Sequence, residues 1–233
     1  MHDWEELARR EPYFAILTDE RFLSEAIDNN ALREFFASGE RDVDYLLSLT
    51  DVRARDVLDF GCGAGRLTLA WAKRVERVVG FDAAPTMIDI ARKHAAGVTN
   101  VEYTTTLAGE FDLICSLIVF QHIPVREGEA LFARLLSMLR PGGVAMIELS
   151  FARPGGAIKK MARRLRAASP LVHRIAQIVS RDKRRLPYMQ MNVYDRDRII
   201  GMVRDARCGE PQFVATTHGG IDGAIVIAKK LSA

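Results

Sequence analysis

The residues best placed to do chemistry form a short run, Asp59-Phe60-Gly61-Cys62-Gly63-Ala64-Gly65, and a second carboxylate, Asp82, 17 residues after Gly65. Glycines let a backbone turn sharply and approach a ligand closely. Exposed amides at the head of a helix favour an anionic group. A carboxylate that ends the neighbouring strand can accept hydrogen bonds from both ribose hydroxyls of an adenosine ligand. The spacing also separates two cofactor classes. A nicotinamide loop reads G-x-G-x-x-G, and counted from Gly61 its last glycine falls on Arg66, so that pattern fails. The run reads D-x-G-x-G-x-G instead.

Such a site needs a strand, a tight turn and a helix in that order, and residues 55–150 supply alternating units of this kind. Asp56–Phe60 is a short apolar strand, and Ala64–Arg74 a helix. Arg77–Asp82 is a second strand, and Pro85–His94 a helix with proline suited to its first turn. Asn100–Tyr103 is a weak third strand. Phe111–Leu117 is a fourth, continuously apolar as a strand buried on both faces should be. Arg126–Leu139 repeats apolar residues at helical spacing until Pro141-Gly142-Gly143, and Val144–Leu149 is a fifth strand. Strands alternating with helices make a mostly parallel sheet with helices on both faces. Residues 3–49 read as two or three helices and Asp195–Ala206 as another. Gln212–Thr217 and Gly223–Lys229 read as an antiparallel hairpin across a glycine-bearing loop, His218–Asp222.

These motifs, taken together and in order, resemble the class I S-adenosylmethionine-dependent methyltransferases of the small-molecule type. The resemblance rests on the glycine loop, on Val79-Gly80-Phe81-Asp82-Ala83-Ala84-Pro85-Thr86-Met87, on Phe111-Asp112-Leu113-Ile114-Cys115-Ser116 with Gln121-His122-Ile123-Pro124, and on Leu139-Arg140-Pro141-Gly142-Gly143. It implies an α/β, doubly wound, Rossmann-like sheet of seven mostly parallel strands with an antiparallel C-terminal hairpin. It further implies S-adenosyl-L-methionine as cofactor. Gly61, Gly63 and Gly65 would lie against its methionine part, with Cys62 beside them, and Asp59 would orient the loop or reach the amino group. Asp82 would bind the ribose diol. Ala83 and Met87 would pack on adenine, and Ser116 would lie beside the methionyl group. Bland alternatives stay open: Met87 as a core residue, Cys62 and Ser116 as small residues near turns. The family often has an acid after the third strand, and here Thr105 or a backbone carbonyl would substitute for it.

A sulfonium methyl is already activated, so the protein mainly holds the reacting atoms in line. A base can assist an oxygen or nitrogen acceptor, and His122 after the fourth strand is the candidate, with hydrogen-bonding the loop or lining the pocket as its alternative. His218 in the hairpin is a second, with a plain turn residue as the commoner alternative. Neither an Asn/Asp-Pro-Pro-aromatic stretch after the fourth strand nor a Pro-Cys pair occurs, which points from nucleobases toward a small-molecule acceptor.

The chain has 233 residues, 48% hydrophobic and 27% charged, the balance of one globular α/β domain. Its parts are a helical N-terminal cover (1–50), a cofactor-binding core (51–150), a basic helical lid insert (151–192) and a C-terminal helix and hairpin (193–233). Three scattered cysteines and an acidic start without an apolar run fit a reducing cytoplasm, with no disulfide framework, metal site or secretion signal expected. The net charge of +3 hides an asymmetry. Residues 151–192 hold 11 Lys or Arg against one acid, which leaves 22 basic and 29 acidic residues elsewhere. Ala157–Ala168 and 170–180 have apolar residues at helical spacing among these charges. The insert reads as a lid with solvated charges, as a lid for an anionic acceptor, or as a pair of amphipathic helices on the inner face of an anionic membrane, in contact through 157–185 and presenting a lipid-linked acceptor. Tyr188 is the sole aromatic residue of 152–192, too few for nucleic-acid stacking. An RNA methyltransferase and a non-catalytic nucleotide-binding protein are the competing functions.

Overall fold

The computed structural model describes residues 2–152, 169, 172, 174, 186–187, 189–218 and 220–232. The expected insert helices, with the substrate or membrane contact assigned to 157–185, lie outside the described residues apart from isolated positions.

β1 (Asp56–Phe60) and β2 (Arg77–Phe81) form where apolar runs are bounded by turns, and they pair in parallel. β3 (Val101–Thr104), β4 (Phe111–Ser116) and β5 (Leu139–Ala152) extend the same sheet, and β6 (Gln212–His218) and β7 (Ile221–Lys229) complete it. The strand order is β3-β2-β1-β4-β5-β7-β6, with β7 antiparallel to both of its neighbours. The order reverses between β1 and β4, so a crevice opens above the C-terminal ends of those strands. The expected seven-stranded doubly wound sheet is therefore present.

Two expectations of extent need correction. β5 begins at Leu139, because Leu139 pairs with Phe111 and the Phe111 amide donates to the Met138 carbonyl at 2.9 Å. Pro141-Gly142-Gly143 thus lies inside the strand's span, at an irregularity between Phe111 and Leu113 in the neighbouring register. The hairpin also closes more tightly than the five residues expected, since pairing continues to His218 opposite Ile221.

Apolar clusters cover both faces. On one face Leu58, Ile114, Ile147 and Val226 pack with Phe132 and Leu135 of α6 (Val125–Ser137) and with Ile199 and Val203 of α7 (Arg196–Asp205). On the other, Val57, Leu113, Met146 and Ile225 pack with Trp71 of α4 (Arg66–Ala72) and with Val43 and Leu46 of α3 (Asn29–Ser48). Asp28 and Asp195 start α3 and α7 by accepting the amides of Ala31 and Arg198.

The N-terminal segment is helical, as expected. α1 (His2–Arg10) and α2 (Pro12–Ile16) precede a short 3₁₀ turn at Glu20–Phe22 and then α3. α1 docks on α5 (Pro85–His94): the Glu5 carboxylate accepts from the Thr86 amide at 3.2 Å and hydroxyl at 2.5 Å. These bonds hold Glu5 below the usual carboxylate range, and the anion sits favourably at a helix N-terminus. Among the described residues no helix is long and apolar enough to cross a membrane.

Candidate active site above the sheet

The register that sets Phe60 beside Phe81 makes the chain leave β1 and β2 together at the sheet's C-terminal edge. The amides of Gly61 and Cys62 donate to the Phe81 carbonyl at 2.7 and 2.9 Å. The amide of Gly63 donates to Asp82 Oδ2 at 3.0 Å, and that of Ala84 to Oδ1 at 2.8 Å. Gly61 and Gly63 carry φ of 78° and 52°, the left-handed region open to glycine. A Cβ at Gly63 would lie 2.6 Å from the Ile16 Cδ1, and one at Gly61 would overlap Val119. α2 and the segment after β4 therefore close against the loop from two sides.

The two acids differ in setting. Asp82 is half-buried at the edge; burial raises its pKa, while the amides of Ala84, Gly63 and Ala83 oppose the rise. Asp59 is buried beneath the loop, where its Oδ2 accepts from the Thr68 hydroxyl at 2.6 Å. Burial pushes its pKa up to about 6 against the Thr68 hydrogen bond and the Arg66 charge. Asp59 thus ties β1 to α4 from below. Gly65 starts α4 with its amide on the Cys62 carbonyl.

The other expected contacts fall around this loop. Cys62 is buried against Ile88, Ala91 and Tyr103, and burial raises its thiol pKa. Ala83 is exposed beside Asp82. Met87 is buried under α1 with Leu7, Ala8 and Ala15. Thr105 is exposed just past β3. Ser116 ends β4 fully buried, its hydroxyl without a hydrogen-bond partner. Arg41 of α3 is ion-paired with Glu34 at 2.6 Å.

His122 lies in a short 3₁₀ turn (Phe120–His122) after β4. Its Nδ1 is 2.7 Å from the Gln190 carbonyl, which can only accept, so Nδ1 carries the proton. Nε2 then accepts from the Gln121 amide at 3.2 Å, and the ring meets Trp4 edge-on at 4.8 Å. Burial pulls its pKa down to about 4, so the ring is neutral at physiological pH.

Three features escaped the sequence. Arg66 is buried and pairs with Asp42 of α3 and Ser38 Oγ, the latter at 3.1 Å. Gly39 makes room for this approach, since a Cβ there would overlap the Arg66 carbonyl. Glu148 of β5 is buried, with His218 Nδ1 2.7 Å from its Oε1. A lone acid in the apolar run Val144–Leu149 was the available signal, because a buried carboxylate requires a partner.

The glycine loop and Asp82 thus meet at the switch point of a doubly wound, Rossmann-like sheet. Residues 57–143 match the family model described as a methyltransferase domain. A ubiquinone biosynthesis O-methyltransferase from Mesorhizobium japonicum is 38% identical over 99 residues, 39% of each chain. One from Coxiella burnetii is 29% identical over 107 residues, 42% of this chain and 45% of that one. The chain thus spans less than half the length of these curated relatives. In overall fold it is similar to magnesium protoporphyrin IX methyltransferase from Synechocystis PCC 6803, solved with bound SAH, at TM-score 0.65 and 17% identity over 98% of this chain and 96% of that one. An N-methyltransferase from Bradyrhizobium japonicum, also with S-adenosyl-L-homocysteine, gives TM-score 0.58 and 16% identity over 98% of both chains.

Proposed function

We propose that this protein transfers the methyl group of S-adenosylmethionine to an oxygen of a small molecule. The observation that carries the proposal is the joined pair of Asp82 and the Gly61–Gly65 loop at the sheet's switch point. The curated relatives named as O-methyltransferases support oxygen over nitrogen.

The residues present fit such a cofactor. Asp82 offers an acceptor-only carboxylate for a diol, and the loop offers left-handed glycines at the head of α4. Ser116 offers a buried hydroxyl that still lacks a partner. When bound, the cofactor supplies an activated methyl on a cationic sulfur. Gly61, Gly63, Gly65 and Cys62 would hold its methionine part over the anchor that Asp59 makes with Thr68. Asp82 would hold the ribose, Ala83, Met87 and Thr105 would border the adenine, and Ser116 would face the methionyl group. His122, with both ring nitrogens bonded, would form the wall of the acceptor site on the β4 side. Trp4 and Val119 would exclude water from the same mouth.

The charge of 151–192 supports an anionic or lipid-linked acceptor. Incubation of the full chain with methyl-labelled cofactor and a small-molecule extract tests the function. A labelled product in the organic-soluble fraction is expected, and binding of cofactor with no product from any extract would overturn methyl transfer. Salt-sensitive co-sedimentation with vesicles of anionic lipid tests the lipid-linked form.

A further inference from the structure

We propose that His218 accepts the proton of the acceptor's hydroxyl during methyl transfer, held in place by Glu148; this rests on the methyl-transfer reading above. β5 and β6 both run antiparallel to β7, so they run parallel to each other. His218, the last residue of β6, therefore stands at the same end of the sheet as the glycine loop and Ser116. The crevice above these strand ends is where the reacting groups of an α/β protein assemble.

The imidazole is set up as a base. Its Nδ1 is 2.7 Å from Glu148 Oε1, which fixes the ring and leaves Nε2 without a partner among the described residues. The side chain is 47% exposed, so Nε2 can meet a small molecule. Glu148 is itself fixed: its Oε2 accepts from the Ile118 amide at 3.0 Å, and the Thr216 hydroxyl also bonds it. Ile118 has φ of 63°, a strained conformation for a β-branched residue, two positions beyond Ser116. The charged groups facing the ring are Glu148 from β5, Asp42 from α3 and Arg66 from α4. Glu148 and Asp42 raise the His218 pKa while burial and Arg66 oppose them, the arrangement that suits a base working near neutrality. His122, by contrast, has its Nε2 occupied and a pKa of about 4.

In the step proposed, the acceptor oxygen bonds the methyl carbon and the carbon–sulfur bond breaks, its electron pair passing to sulfur. The hydroxyl proton passes to His218 Nε2, where Glu148 stabilises the imidazolium, and then to water.

The test uses the full chain, methyl-labelled cofactor and the same small-molecule extract from pH 5 to 9, with His218→Gln and Glu148→Gln variants. The wild-type rate is expected to rise with pH through the His218 titration. His218→Gln is expected to lower it by about 100-fold with affinity for S-adenosylhomocysteine within about twofold, which also shows that the variant folds. Glu148→Gln removes the anion, so the rising limb should move to lower pH. Histidine Cε1–H NMR reads the same shift without turnover: the His218 midpoint should lie above 6.5 in the wild type and fall in Glu148→Gln. A His218→Gln variant that keeps wild-type turnover, or a midpoint indifferent to Glu148, overturns the proposal. A wild-type chain that binds cofactor yet labels nothing overturns the methyl-transfer reading itself.

Discussion

His122 Nδ1 donates to the Gln190 carbonyl across 2.7 Å, which joins the turn after β4 to the segment that leads into α7. The Asn192 amide adds a bond to the Gln121 carbonyl at 2.6 Å. The proposed wall of the acceptor site thus joins residues about 70 positions apart. His122→Ala removes the side-chain link and the ring that Trp4 rests on. Turnover should fall at least about tenfold through lost positioning, with little change in cofactor affinity. Parallel rate and calorimetric measurements check this, and unchanged turnover would remove His122 from the site.

The same junction depends on a small residue. The Tyr194 hydroxyl lies 2.9 Å from the Phe120 carbonyl and 3.0 Å from that of Ile123, and a Cβ on Gly128 of α6 would overlap it. The single hydroxyl proton can reach either carbonyl only while Gly128 leaves that space. Gly128→Ala should therefore destabilise the protein by about 1–3 kcal/mol. Urea denaturation measures it, and a midpoint equal to that of the wild type would show that α6 yields without cost.

Much of this was readable along the chain. Strand β1 and helix α5 begin and end where the sequence places them, because local signals bound them: glycines after Phe60, Pro85 at a first turn. The start of β5 was not, because a Pro-Gly-Gly run reads as a turn while the cross-strand pairing of Leu139 with Phe111 decides otherwise. The expected site residues cluster at one strand edge, since the βα order alone places Gly61–Gly65, Asp82 and Ser116 there. The Glu148–His218 pair depends on two antiparallel registers through β7, which no local pattern encodes. Arg66 was noted only for spoiling a glycine pattern, yet it ties α3 to the loop through Asp42 and Ser38.

Asp59 makes a prediction about pH. Its folded pKa of about 6 exceeds the ordinary 3.8, so between these values the folded state binds a proton that the unfolded chain has released. The Asp59 contribution to stability therefore falls as pH rises through that window and stays low above it. Asp59→Asn removes the titration and can still accept from Thr68. Its stability relative to wild type should rise from pH 4 to 6 by up to about 3 kcal/mol, then level off. Denaturation at several pH values checks this; a difference independent of pH would contradict it.

Asp82 carries the central claim, that a sulfonium nucleoside binds where β1 and β2 end. Isothermal titration of the folded chain with S-adenosylmethionine and S-adenosylhomocysteine tests it directly, alongside Asp82→Ala with its fold checked by circular dichroism. Saturable binding is expected, weakened by about 10- to 100-fold in the variant through loss of the charged hydrogen bonds to the diol. No binding to the wild-type chain, or equal binding to Asp82→Ala, would contradict the account.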